Sequence, residues 1–210
     1  VKRFMTKHVA PSIDRRNVLI GLAILPMSAG IALDVREAEA STGPENYILT
    51  IGNDVIALAN SGTKGGALRS RFVSLLKRHS DIRSIALFSL GTYQKKLPST
   101  MRGQYFDLVT QFAAGFFAYY VDDFAGSGFD IKSSKPQGKA IIVDSAIRYS
   151  SGGTSPVKWR VVSVGGGYRV NDVNVRGIWL SLQMQQQFTS VLKKSKGDFA
   201  ALLDYLRKNA

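Results

Sequence analysis

The chain has 210 residues, which suits one domain or one domain with a small helical appendage. Hydrophobic residues make up 45%, with 11 Phe, 8 Tyr and 2 Trp among them, enough for a sizeable core, which excludes a disordered tail. Lys and Arg total 28 against 15 Asp and Glu, a net charge of +13 that points to an anionic partner: nucleic acid, a membrane surface or an acidic protein. Cysteine is absent, which excludes a disulfide scaffold, a thiol enzyme and Cys-based metal sites; two histidines, His8 and His79, are too few for a His-rich metal site or double-His catalysis.

The segment before Ser41 has a composition of its own. Lys2, Arg3, Lys7 and the Arg15-Arg16 pair precede an uncharged apolar run from Val18 to Leu33, and a short polar stretch ends in Ala38-Glu39-Ala40. A basic region, an apolar region and a small-x-small site are the layout of an export signal. The run falls short of the roughly 20 residues that span a bilayer as a helix, and Gly21, Pro26 and Gly30 interrupt it. Residues 1–40 are therefore expected to be a signal peptide cut after Ala40, with Ala32 as second site and an uncut anchor as the other reading. Arg15-Arg16-Asn17-Val18-Leu19 resembles a twin-arginine signal. The alternative is the general secretory route. Export removes chromosomal DNA as a partner. From Ser41 on, Lys and Arg still outnumber Asp and Glu by 11, so the basic excess belongs to the exported part.

Tyr47 to Asn60 carries Ile48, Ile51, Val55, Ile56, Leu58 and Ala59 at near-helical spacing, with Pro44 and Glu45 ahead of it as start signals. Ser61–Gly66 breaks the pattern. Ala67 to His79 reads as a second helix with Leu68, Phe72, Leu75 and Leu76 inward and Arg69, Arg71, Lys77 and Arg78 mostly outward. Asp81 caps a third, short helix through Leu90. From Pro98-Ser99-Thr100 the longest stripe begins: Met101, Tyr105, Leu108, Phe112, Phe116 and Tyr119 share one face. Its aromatic richness suits either an ordinary core or the wall of an apolar cavity.

From Gly126 the period changes to two. Four strands are predicted, near Asp130–Ser134, Lys139–Tyr149, Val157–Val164 and Tyr168–Val175. The links Lys135–Gly138, Ser150–Pro156 and Gly165–Gly167 are short and rich in Gly, Ser and Pro, so the strands form antiparallel hairpins. Ile141, Val143, Ile147 and Tyr149 share a face, as do Val157, Trp159 and Val161, with Lys158 and Arg160 opposite. The sheet is thus expected to be apolar within and basic without. Ile178 to Leu192 returns to helix, and Asp198 caps a last helix with Phe199, Leu202, Leu203 and Leu206. Helices, then a hairpin sheet, then helices make an α+β fold.

Catalytic patterns are missing. There is no G-x-S-x-G elbow or Walker A loop, Gly165-Gly166-Gly167 lies between antiparallel strands, and Asp122 and Asp123 point about 100° apart on a helix. His79, at a helix end beside Arg78, suits a surface or capping role. The exported part reads as a binder and not an enzyme, with no catalytic residues and no metal.

Leu90-Gly91-Thr92-Tyr93, then Leu97-Pro98-Ser99-Thr100-Met101-Arg102 and Phe106, echo a Leu-Gly-x-aromatic element followed by a Thr/Pro helix start and a Phe-rich helix. Tyr168–Ile178 (YRVNDVNVRGI) is similar to an aromatic-x-Val-x-Asp-Val-x-Val-x-Gly strand-to-helix junction, and Phe188, Gly197, Leu202, Leu203 and Leu206 match the helices after it. In this order the motifs resemble the MlaC, or toluene-tolerance, family of periplasmic phospholipid-binding proteins, over nearly all of Ser41–Ala210. Tyr168 stands in place of the commoner Trp, and Arg176 in place of an acidic residue often found there.

The resemblance implies N-terminal helices packed on a curved antiparallel sheet of about four strands, related to the nuclear-transport-factor-2-like fold, with C-terminal helices and an enclosed apolar cavity. It implies a monomeric periplasmic carrier, an auxiliary of an Mla-type ABC transport system that maintains outer-membrane lipid asymmetry. Such a carrier takes phospholipid as cargo between an inner-membrane ABC transporter complex and an outer-membrane lipoprotein complex, with no cofactor. A hopanoid-related cargo is the variant. At about 0.8 kcal/mol per buried CH₂, two chains of about 16 carbons exposed to water cost roughly 25 kcal/mol, so a carrier must offer a comparable apolar lining. The lining expected is Phe112, Phe116, Tyr120, Ile141, Val143, Ile147, Trp159, Val161, Val173 and Val175. Each of these side chains equally suits a filled core. Head groups are expected at the mouth, with Lys or Arg meeting phosphate, though the sequence does not assign which. The carrier needs an apolar void of several hundred Å³ between the long helix and the sheet, and Val143→Trp is expected to lower lipid load without unfolding. The rival classes are an exported scaffold that binds no lipid and a periplasmic lipid-modifying hydrolase using Ser127 or His79.

Overall fold

The computed structural model describes residues 43–119, 121, 128–150 and 152–210; the expected export signal, Tyr120, Asp122, Asp123 and Ser127 lie outside them. Pro44 occupies the first turn of α1 (Pro44–Asn60), where its missing N–H costs no helical hydrogen bond, and Glu45 suits the positive end of the helix. The helix buries Ile48, Ile51, Gly52 and Leu58. Gly52 has no room for a side chain, since a Cβ there would overlap the Phe129 ring. That close approach seats α1 on the sheet.

α2 (Gly65–His79) buries Leu68, Phe72 and Leu76, and its last turn is basic, matching the negative end of the helix. Asp81 caps α3 (Ile82–Ser89) by accepting the Ser84 N–H at 3.3 Å. The expected start of the long helix at Pro98 is a 3₁₀ turn, Ser99–Met101, closed by Met101 N–H on the Pro98 carbonyl at 3.0 Å; α4 proper runs Arg102–Tyr119. α4 buries Tyr105, Leu108, Val109, Thr110 and Ala114, more than one stripe, because it packs against α2, α3 and α6 at once. Tyr119, expected on the inward face, is exposed in the last turn of α4.

The strands are β1 (Gly128–Gln137), β2 (Ala140–Arg148), β3 (Thr154–Val164), β4 (Gly167–Val175) and β5 (Ile178–Trp179), paired antiparallel in sequence order. The composition of Lys135 to Gln137 predicts a turn. These residues continue β1, and Gly138-Lys139 makes the turn, with Gly138 at φ +61°. Pro136 is tolerated there because β1 is the edge strand of the sheet among the described residues. Register shifts at Ile131/Ser133 and Arg160/Val161 mark irregularities of the kind that bend a sheet. Ile178 and Trp179, read as helix, pair back on β4 because Arg176 (φ 53°) and Gly177 (φ 90°) reverse the chain. α5 (Leu180–Lys194) and α6 (Phe199–Asn209) complete the described chain, and Asp198 caps α6 through Ala200 N–H at 2.8 Å.

The apolar interior has three parts. One lies between α1 and the sheet, around Ile48, Ile51, Val143, Trp159 and Val161. A second joins α1, α2 and α4 around Phe72 and Leu76. The third joins α3, α4, α5 and α6 around Tyr105, Phe188 and Leu202. The far face of the sheet differs from the expected basic surface. Arg148 pairs with Asp130 at 2.8 Å and Lys158 with Asp144 at 3.3 Å, each across neighbouring strands. The cations face outward as their alternation requires, but antiparallel register sets a carboxylate beside each of these two.

Candidate lipid-binding cavity

Where the three interiors meet, an apolar cavity of about 60 Å³ remains. α1 supplies Ile51 and Val55, α2 Phe72, Leu75, Leu76 and His79, and α3 Ile82 and Ile85. α4 supplies Ala113 and Phe117, the sheet Trp159, Val170, Asp172 and Val173, and α5 Leu180 and Met184. A second cavity of about 50 Å³ lies between α4 and α5, lined by Phe112, Ala113, Phe116, Phe117, Leu180, Gln183, Met184 and Gln187. Ala113, Phe117, Leu180 and Met184 border both, so these four side chains are the partition. Phe112, Phe116 and Gln187 also border an open surface groove of about 580 Å³ with Arg69, Tyr119 and Tyr205. Shared lining residues therefore link the groove, the two cavities and His79 in one apolar course.

Both voids fall far below the several hundred Å³ required for cargo. The physical reason is the cost of empty apolar space. At about 24 cal/mol per Å³ an unfilled hole of about 500 Å³ costs roughly 12 kcal/mol, which rivals the whole stability of a domain. Phe117 and Met184 close the space, and a methionine side chain repacks with little strain.

Of the residues expected to line a cavity, Trp159 and Val173 face the first, and Phe112 and Phe116 face the second. Ile141, Val143, Ile147, Val161 and Val175 pack in the interior under α1 and border neither cavity. Tyr120 lies outside the described residues. The sequence pattern does not single out the lining from α2, α3 and α5. Phe72, Leu75 and Leu76 carried an inward-facing signal, but a period cannot tell a filled core from a cavity wall.

Three residues lining the first cavity are polar, and they differ in satisfaction. The Asp172 carboxylate accepts Val173 N–H at 2.9 Å, Ser181 N–H at 3.1 Å, the Ser181 hydroxyl and the Arg160 guanidinium at 3.3 Å. The Arg160 guanidinium lies 4.2 Å from the Trp179 ring centre, so one network joins β3, β4, β5 and the first turn of α5. Ser80 holds the turn between α2 and α3, its N–H bonded to the Leu76 carbonyl at 2.9 Å. His79 is less settled. Its ring packs beside Tyr47 at 5.7 Å, and Tyr47 donates its hydroxyl proton to the His79 carbonyl at 3.0 Å. The same hydroxyl oxygen stands 3.4 Å from Nδ1 and can only accept there, which places the ring proton on Nδ1. Nε2 is buried with no hydrogen-bond partner; the nearest carboxylate oxygen, of Asp54, is 3.9 Å away. Burial holds the imidazole below its ordinary pKa, with Asp54 opposing and Arg78 and Arg169 assisting.

No hydroxyl reaches His79 Nε2, so a nucleophile–base pair is not assembled among the described residues. Among them, no group of three or more His, Asp or Glu could hold a metal ion, and no helix is long and apolar enough to cross a membrane. A search of the curated proteins gives no match. Among solved structures the chain is similar to a phospholipid-binding protein from Ralstonia solanacearum, solved at 1.53 Å in complex with a phospholipid. The two share 19% identity and a TM-score of 0.67, over 79% of this chain and 95% of that one. Residues 51–208 match the family model described as MlaC protein, and with most of its length so matched the chain belongs to the MlaC family.

Proposed function

We propose that the protein is a periplasmic phospholipid carrier that takes acyl chains into the two cavities and hands lipid between an inner-membrane ABC transporter complex and an outer-membrane lipoprotein complex. The observation that carries this reading is the partition. Two apolar cavities in a member of the MlaC family share Ala113, Phe117, Leu180 and Met184 as lining. Swinging Phe117 and Met184 aside joins them into one channel without breaking a backbone hydrogen bond. The phospholipid held by the structurally similar Ralstonia protein supports lipid as the cargo class. The energetics call for a carrier: at about 0.8 kcal/mol per CH₂ two acyl chains left in water cost roughly 25 kcal/mol, so cargo must travel inside an apolar lining. Binding of this kind needs no covalent chemistry.

The test is native mass spectrometry with lipid extraction on protein expressed with its leader in a Gram-negative host. Phospholipid at near one molecule per chain, recovered from the periplasmic fraction, is the expected result. Protein that is repeatedly lipid-free overturns the carrier reading in favour of a scaffold.

A further inference from the structure

His79 ends the apolar course at a place where the wall meets water. Its side chain is 13% exposed, and that of Asp54 beside it is 45% exposed. Tyr47 and Tyr168 pack together next to it at 5.8 Å, a pair of rings apolar in body and polar at the tip, as suits a boundary between an apolar and a wet region. Arg169, exposed on β4, lies close enough to act on both Tyr47 and His79. It gives one N–H to the Tyr168 carbonyl at 2.8 Å and a second to the Tyr47 hydroxyl, and a guanidinium has five. Among the described residues, the other end of the course has no ionisable side chain with an unpartnered buried atom. The second cavity ends on the neutral amides of Gln183 and Gln187, and the Arg69 guanidinium in the groove is engaged by the Ala210 carbonyl. Asp172, the remaining ionisable group of the lining, already has donors on both carboxylate oxygens.

We propose that His79 and Arg169 form the head-group end of the site, with His79 Nε2 hydrogen-bonded to the phosphodiester of a lipid whose chains lie in the cavities. This rests on the carrier reading above and adds to it an orientation. The neutral ring offers Nε2 as a bare acceptor, which a phosphate oxygen cannot use. An arriving phosphodiester therefore draws a proton onto Nε2, which then donates to it as a charge-assisted bond. Arg169 shares the anion. Asp54 on α1 favours the same proton, Arg78 on α2 and Arg169 on β4 oppose it, and the anion tips the balance.

The experiment uses the full chain with His8→Gln, which leaves His79 as its one imidazole, labelled with ¹⁵N-histidine and mixed with phosphatidylglycerol vesicles. Lipid uptake is read by mass and the ring by its ¹⁵N resonances. On loading, the Nε2 line is expected to move from the bare-acceptor position to the N–H position, and inorganic phosphate alone is expected to leave it in place. His79→Phe, which keeps a ring of similar shape, is expected to release lipid to acceptor vesicles about tenfold faster, the scale of one charge-assisted hydrogen bond. Loaded protein with an unmoved Nε2 line overturns the head-group assignment and leaves the carrier reading standing. An equal shift with inorganic phosphate also overturns it, in favour of a free-anion site. No uptake under any condition overturns the carrier reading, and this inference with it.

Discussion

Arg160 on β3 holds the buried carboxylate of Asp172 on β4 at 3.3 Å while its guanidinium lies 4.2 Å from the Trp179 ring centre. Asp172 is 3% exposed, so its charge depends on that partner and on the N–H groups of Val173 and Ser181. Removing the counter-charge leaves a carboxylate in the interior. Arg160→Met, which keeps an apolar stem over Trp179, is expected to cost about 3 kcal/mol. Adding Asp172→Asn is expected to return part of that loss, because a neutral amide needs no counter-charge. Urea midpoints of the two single variants and the double check this; additive losses would show that the pair is not coupled.

Gly52 and Phe129 are a second coupled pair, joined by sterics. A methyl at position 52 overlaps the Phe129 ring, so α1 must lift from the sheet or the ring must turn. Gly52→Ala is expected to cost about 1–3 kcal/mol. In a Phe129→Leu background the same change is expected to cost at least about 0.5 kcal/mol less, a departure from additivity that a double-mutant cycle reads directly.

The elements were legible where one physical signal ruled. The two-residue period of Ala140–Arg148 and Thr154–Val164 fixes which side chains share a face, and Asp81 and Asp198 cap the helices their positions announce. α4 was harder. It is packed on several sides, so Phe112, Ala113, Phe116 and Phe117 are all partly buried, and no period distinguishes the two that face both cavities. The partition is legible only in three dimensions, since Phe117 and Met184 are brought together from elements with the whole sheet between them in sequence. The outward Lys158 was visible, but its partner Asp144 is set by hairpin register. His79 at a helix end read as a surface residue because nothing local announces the roof formed by Tyr47, which comes from another helix.

The same roof gives a pH dependence. Burial lowers the His79 pKa in the folded chain, so the unfolded chain binds the proton more readily. Above the unfolded value of about 6.5 the ring is neutral in both states and its contribution to stability is intact. As pH falls through the lower folded value that contribution is lost. His79→Phe is expected to flatten the decline in urea midpoint between about pH 7 and about pH 5. An equal decline in the variant would assign the acid sensitivity to other groups.

The partition makes cargo uptake and folding separable by mutation. Ala113 borders both cavities, so Ala113→Leu places new methyl groups into space that is already empty. Stability is expected to stay within about 1 kcal/mol or to rise, because filling a void restores contacts that its lining lacks, while lipid load falls because the channel is plugged. Phe117→Ala acts in the opposite sense: it is expected to cost about 3 kcal/mol and to join the cavities, so protein that remains folded takes up lipid faster. Val143→Trp, chosen on sequence grounds as a plug, acts elsewhere. Val143 is fully buried under α1 and borders neither cavity, so the larger ring has no void to enter and is expected to unfold the sheet core. Native mass spectra and urea midpoints for the three variants distinguish the outcomes. A partition at these four side chains requires Ala113→Leu to lose lipid while staying folded, and full lipid load in a folded Ala113→Leu protein would place the acyl chains on another path.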